Sequence, residues 1–347
     1  MKRYLFLIGI LILSAGVILT HSFVVAATTQ PQRVSSVTSD RIALDEGVNN
    51  ENNFFASLPV LTKQESRAKN RRKAFDRLIE SVSAARIIEL NFTWDTNSPL
   101  FPTNTPYSIS LLARHTQTFG TVSGGIGFAT DKMDFSGQHG APTIDAIGHI
   151  SNNLKLFGDI DAVTSESDLG LTKLGVEAYP KEQFVNRAVL LDVARFKGVE
   201  TLAAGQEITV ADLEATARAE GVEIQSGDSV LIRTGYGKFF NTEPTKFSEP
   251  LPGPGEAAAR WLAKKKVFLV GDDQLVFEVL PATGTVFPVH RTLIADNGIY
   301  IVENLNLEEL SQALAQEGVY EFPLVLNPPR IRGATGAAVN SFAILPR

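Results

Sequence analysis

Residues 186–240 read NRAVLLDVARFKGVETLAAGQEITVADLEATARAEGVEIQSGDSVLIRTGYGKFF, and this stretch decides the fold class. AVLLDV (188–193) and SVLIRT (229–234) are short apolar, β-branched runs bounded by turn-forming residues, which is the signal of buried strands. Between them, Val210 to Glu220 reads as a helix after a Thr209-x-x-Asp212 start. The same alternatives recur outward along the chain. RIIELNF (86–92), TVSGGIGFA (121–129), VFLVGDD (267–273), IYIVEN (299–304) and YEFPLVL (320–326) carry strand signals, and helices are expected over 255–265 and over 307–316 after Asn306. Strands and helices mix without strict alternation, and neither a repeat nor a linker divides the region. The expectation is one α/β domain over residues 59–347, a mixed β-sheet flanked by helices.

The N-terminus begins MKRYLFLIGILILSAGVILTHSFVVAATTQ, with Lys2 and Arg3 ahead of an apolar run from Leu5 to Thr20 and small residues at Ala26 and Ala27. That order predicts a signal peptide over residues 1–27, and hence an exported protein, periplasmic or extracellular, with no membrane attachment after cleavage. A retained anchor is the competing reading, since such a run is near the lower limit for spanning a bilayer. Residues 28–58 are polar and aperiodic and read as a flexible spacer. Thr62 to Glu65 has the form of a capping box, opening a helix to about Ala84 through Phe75, Leu78, Ile79 and Val82.

The chain carries 32 basic and 38 acidic side chains, and removal of residues 1–27 takes away two of the bases and no acid. No nucleic-acid partner is expected of such a surface. The basic cluster from Arg67 to Lys73 is interleaved with Glu65, Asp76 and Glu80 and reads as a solvated helix face. There is no cysteine, so disulfides and thiolate metal sites are excluded, and a metal would have to be held by nitrogen and oxygen. Glycine-rich dinucleotide and phosphate loops and a G-x-S-x-G elbow are also missing from the sequence.

Only five histidines are present, at 21, 115, 139, 149 and 290. His139 and His149 share the segment HGAPTIDAIGH (139–149) with Asp145. A loop containing Gly and Pro can turn an imidazole and a carboxylate six residues apart onto one cation, and a helix after Asp145 would set His149 one turn away. His290 follows a loop rich in Gly, Thr and Pro, and Glu303 stands among apolar strand residues, where burial demands a partner. Taken singly, each has an ordinary explanation: a turn with a surface His and a capping Asp, a satisfied core His, an edge-strand acid.

At these positions the sequence resembles the cyclase family of metal-dependent hydrolases, which includes kynurenine formamidase (arylformamidase) and isatin hydrolase. The resemblance rests on HGAPTIDAIGH, on residues 186–240, and on NGIYIVENLNLEEL followed by RIRGATGAAV, and runs from about Ile87 to Ile344. It implies the swivelling β/β/α cyclase fold. It also implies a zinc or manganese site built from His139, Asp145, His290 and Glu303, with His149 as the catalytic general acid/base.

In the family motif H-x-G-T-H-x-D-x-P-x-H the second ligand histidine falls on Thr143 here, so one well-held ion is expected, with a second weaker. The activity implied is hydrolysis of an amide, formamide or cyclic amide C–N bond in a small-molecule substrate, by a homo-oligomer. Two alternatives stay open: a non-catalytic metal or small-molecule binding protein on the same fold, and a lactone hydrolase or cyclase. Phe92, Trp94, Phe101 and Tyr236 are the aromatic candidates for lining the substrate pocket, with core packing as the competing reading of each.

Overall fold

The computed structural model describes residues 71–346 apart from 74, 75, 78, 121–123, 249, 283 and 285. The expected signal peptide and spacer lie outside the described residues. Of the helix expected to end near Ala84, residues 71–73, 76, 77 and 79–83 are helical, and Ile79 and Val82 are exposed on it.

Nine strands build the central sheet: β1 (Arg86–Glu89), β2 (Thr143–Asp145), β3 (Val185–Asp192), β4 (Ser229–Arg233), β5 (Leu269–Asp272), β6 (Tyr300–Glu303), β7 (Glu321–Asn327), β8 (Gly336–Ala338) and β9 (Asn340–Leu345). Their spatial order is β1-β9-β7-β3-β4-β5-β6-β2-β8. The four in the middle, β3 to β6, run parallel, and every pairing outside them is antiparallel. The sheet is therefore mixed, as the sequence leads one to expect. Helices α1 (Val210–Glu220), α2 (Glu256–Lys265) and α3 (Glu308–Glu317) pack around it.

Strand alternation sorts the apolar side chains into two cores. Ala188, Leu190, Leu231, Leu269 and Val302 face one core, where Leu310 and Leu314 of α3 cover them. Val189, Leu191, Val230, Ile232, Val270 and Ile301 face the other, under Leu213 of α1, Ala258, Ala259 and Leu262 of α2, and Val289, Leu293 and Ile294. Because both faces are covered, the parallel strands are apolar at successive positions rather than at alternate ones.

The caps follow the local chemistry. Thr209 and Asp212 form a reciprocal capping box at the start of α1, and Gly221 ends it in the left-handed region at φ 68°. The strand expected over 121–129 is not formed in its described part: residues 124–129 are turn and irregular structure apart from a single bridge at Ile126, with Gly124 and Gly125 at positive φ, and the nearby hairpin instead pairs Ser108–Ala113 with Thr130–Asp134. The glycines there favour a turn over an extended run.

Leu190, fully buried in the first core, reports on this packing. Leu190→Ala is expected to lower unfolding stability by roughly 2–5 kcal/mol, read from the denaturant midpoint at an unchanged m-value.

Candidate metal centre

The parallel strands end in ionisable residues: Asp192, Arg233, Asp272 and Glu303. The carboxyl ends of parallel strands are where open α/β sheets place ligands. Two distinct clusters result. Arg233 bridges Asp192 and Glu308 at 2.9 Å on each side, a closed ionic network. Glu303 turns to the opposite face and belongs to the candidate site.

Sheet register explains why Glu303 and Asp145 meet. β2 is antiparallel to β6, with Ile144 beside Val302 and Thr143 beside Glu303. Ile144 and Val302 both point into the first core. Alternation then turns Thr143, Asp145 and Glu303 to the other face. Onto that face the turn Pro288–His290 lowers His290, just before a π-helical turn over Arg291–Ala295. His290 Nε2 lies 3.1 Å from Glu303 Oε1 and 3.6 Å from Asp145 Oδ2. One ligand atom from each of Asp145, His290 and Glu303 lies within 4.8 Å of the others.

The electrostatics of the site call for positive charge. Asp145, Asp272, Glu278 and Glu303 are all buried. Burial pushes the Asp145 carboxyl up to about 6 from its ordinary 3.8, with Glu303 adding to the rise and His149 and His290 opposing it. Asp272 is driven well up by burial and by the neighbouring Glu303 and Asp273. Burial would lower the pKa of His290, but its hydrogen bonds to Glu278 and Glu303 outweigh this and raise it well above the usual imidazole range. The acids around His290 favour the charged form of its ring. Asp145 Oδ1 is buried without a hydrogen-bond partner. An orphaned oxygen, two carboxylates and an imidazole form a nitrogen/oxygen donor set that fits a divalent cation such as zinc or manganese.

His139 is buried edge-on to Trp94, ring centroids 5.2 Å apart, outside the group of three. Neither ring nitrogen makes a hydrogen bond of normal geometry. Burial lowers its pKa, against an opposing pull from the Thr105 backbone, so the ring favours the neutral form that metals require. The hydroxyl of Thr143 donates toward the carbonyls of Gly137 and Ala337, 3.2 and 3.3 Å away, and so serves the backbone.

His149 is not one helical turn beyond Asp145: a strand and then a turn, closed by His149 N–H donating to Ala146 O at 2.9 Å, connect the two. The turn still brings His149 Nε2 to 4.0 Å from Asp145 Oδ1. On the other side of the ring, Nδ1 is 3.3 Å from the Gln138 amide, which is itself tied to Thr335 Oγ1 at 2.8 Å. Nδ1 is thereby engaged, and Nε2 is the nitrogen that faces the pocket.

That pocket, about 190 Å³ in volume, is floored by Asp145, His290 and Glu303, with His149 at its side and Phe101, Phe287, Leu275, Val276 and Ile150 among its walls. Of the four aromatic candidates, Phe101 lines it. Phe92 does not, because it stacks on Phe240 at 4.4 Å. Tyr236 is buried against Phe239. Trp94 packs between Tyr107, Phe135 and His139, behind the pocket. Gln138, Glu278, Phe287 and Thr335 have no spacing signal that links them to the histidines. Gln138, directly before His139, and Phe287, three residues before His290, lie close in sequence to candidate ligands.

Because the folded pKa of Asp145 exceeds its ordinary value, its ionisation costs stability. For cation-free protein that stability is lost as pH rises from 3.8 through about 6. At pH 8 Asp145→Asn is therefore expected to raise the melting temperature of chelator-treated protein. The same change is expected to abolish the further rise that added Mn²⁺ gives the wild type; thermal melts with and without the ion check both.

Comparison with known proteins bears on the fold and the family. The sequence profile of the Cyclase family matches residues 88–279. No curated protein matches by sequence search. Among solved structures, one described as a novel cyclase shares 31% identity over 76% of this chain and 88% of its own, at a TM-score of 0.69. Isatin hydrolase A from Labrenzia aggregata, bound to benzyl benzoate, aligns at 19% identity over 79% of this chain and 100% of its own, at a TM-score of 0.60. A predicted metal-dependent hydrolase from Bacillus stearothermophilus aligns at 20% over 75% and 98%, at 0.51. Profile, identity and coverage together make this chain a member of the Cyclase family.

Proposed function

We propose that the protein is a metal-dependent hydrolase that opens a C–N bond in an amide, formamide or cyclic amide, with His149 as the general acid/base. The observation that carries the reading is the convergence of Asp145, His290 and Glu303 within 4.8 Å at the floor of a pocket walled by His149. Names of structural neighbours, isatin hydrolase and metal-dependent hydrolase, agree with it. One ion, zinc or manganese, is the occupancy we assign, because Thr143 spends its hydroxyl on Gly137 and Ala337.

A divalent cation held there supplies Lewis acidity and brings the pKa of a water toward about 7. The side chains contribute the remainder. Asp145, Glu303 and His290 hold the ion. His149, pinned through Nδ1 by Gln138, takes and returns a proton at Nε2 as the leaving nitrogen departs. Phe101, Phe287, Leu275 and Val276 exclude bulk water and offer apolar faces to an aryl or other flat substrate.

Export and self-association belong to the same proposal. The first is supported by Lys2, Arg3 and the apolar run that follows them, the second by the family resemblance. Among the described residues no helix is long and apolar enough to cross a membrane.

Elemental analysis of purified protein is expected to return close to one zinc or manganese per chain. With isatin and N-formylkynurenine as probes, turnover is expected to depend on the added ion. His149→Ala is expected to keep the metal while turnover falls by about a hundred-fold or more. Equal loss of metal would remove His149 from its assigned role. Full metal occupancy without turnover of amide, cyclic amide or lactone would point to a binding protein, and turnover of lactones alone to a C–O hydrolase.

A further inference from the structure

We infer that Glu278 is the positioning residue that fixes His290 as a metal ligand. This rests on the reading that Asp145, His290 and Glu303 hold a cation. Glu278 lies twelve residues before His290 in sequence, is 1% exposed, and has no part in the triad itself. Its Oε2 stands 2.7 Å from His290 Nδ1 and accepts the backbone N–H of the same histidine at 3.1 Å. Two bonds from one residue to one oxygen hold both the ring and the backbone that carries it.

Nδ1–H is thereby committed to Glu278, which leaves Nε2 as the nitrogen directed at Glu303 Oε1 and Asp145 Oδ2. A carboxylate behind a ligating imidazole sets its tautomer, orients the ring and raises its basicity. The placement of Glu278 is itself rigid. Its own N–H donates to Val276 O at 2.7 Å, and the next residue bonds through Val279 N–H to Pro254 O at 3.3 Å. Gly253 lies against the same segment: a Cβ there would come within 2.6 Å of the Glu278 carbonyl carbon. A second tie connects the ligands, because Phe277, the residue before Glu278, donates its N–H to Glu303 Oε1 at 2.8 Å. One short segment therefore holds both His290 and Glu303 from behind.

The test is titration of metal-stripped protein with Mn²⁺ by calorimetry, for the wild type, Glu278→Gln and Glu278→Asp, with a thermal melt of each stripped protein. Glu278→Gln keeps the size of the side chain and removes its charge. It is expected to weaken Mn²⁺ binding by about 10–100-fold at unchanged stoichiometry. Glu278→Asp, which restores the carboxylate at shorter reach, is expected to recover part of that loss.

Affinity within about two-fold of wild type in Glu278→Gln would overturn the inference while leaving the cation site in place. Failure of both variants to melt cooperatively would also overturn it, by making Glu278 a folding residue. If wild type itself takes up neither Mn²⁺ nor Zn²⁺, the cation reading falls and this inference with it.

Discussion

Four buried acids, Asp145, Asp272, Glu278 and Glu303, gather around His290 with His149 at the side, and the rest of the site is arranged around that excess of negative charge. Two carboxylates about 4 Å apart repel by about 4 kcal/mol at an effective dielectric of 20. A folded chain tolerates such a cluster by protonating part of it or by binding a cation. The upward shifts of Asp145 and His290 run in the direction of the first solution. The orphaned Asp145 oxygen and the converging ligand atoms are the groups that the second solution would use.

Sheet topology supplies the precision. The parallel strands β5 and β6 deliver Asp272 and Glu303 at their carboxyl ends, and an antiparallel neighbour, β2, sets Asp145 on the same face as Glu303. A slip of one residue in the β2–β6 register would turn Ile144 into the site and Asp145 into the apolar core. The first core resists that slip, since Ile144 and Val302 are fully buried together in it. The stability of the fold and the geometry of the site thus depend on the same pairing. The loop between β5 and β6 adds the complementary part, with Glu278 behind His290 and Phe277 N–H on Glu303.

Much of this was legible in the sequence. Apolar runs in 188–193, 229–234, 267–273, 299–304 and 320–326 each hold a strand of the central sheet, and the three principal helices fall within a residue of their expected bounds. Asp145, His149, His290 and Glu303 stood out because the chain has few histidines and a family motif assigns them. The short strands β2 and β8 escaped notice, since three residues carry too little periodicity to read. The same shortness made the segment after Asp145 look helical when it is a turn. Phe92, Trp94 and Tyr236 could not be told from Phe101, because an aromatic near a Gly/Pro loop packs into a core as readily as it lines a pocket.

The sequence by itself determined which residues are chemically able to hold a cation and ruled out sulfur as a donor, because composition fixes the available ligand types. It also marked the four parallel strands at the centre of the sheet, through local apolar patterning. Only the tertiary structure decided that Asp145, His290 and Glu303 meet while His139 stands aside against Trp94. Only there do Gln138 and Glu278 become the partners of His149 and His290. The physical reason is that side-chain convergence is set by strand register and by loops that cross between distant parts of the chain. No local preference encodes a contact such as Gln138 with Thr335, 197 residues apart.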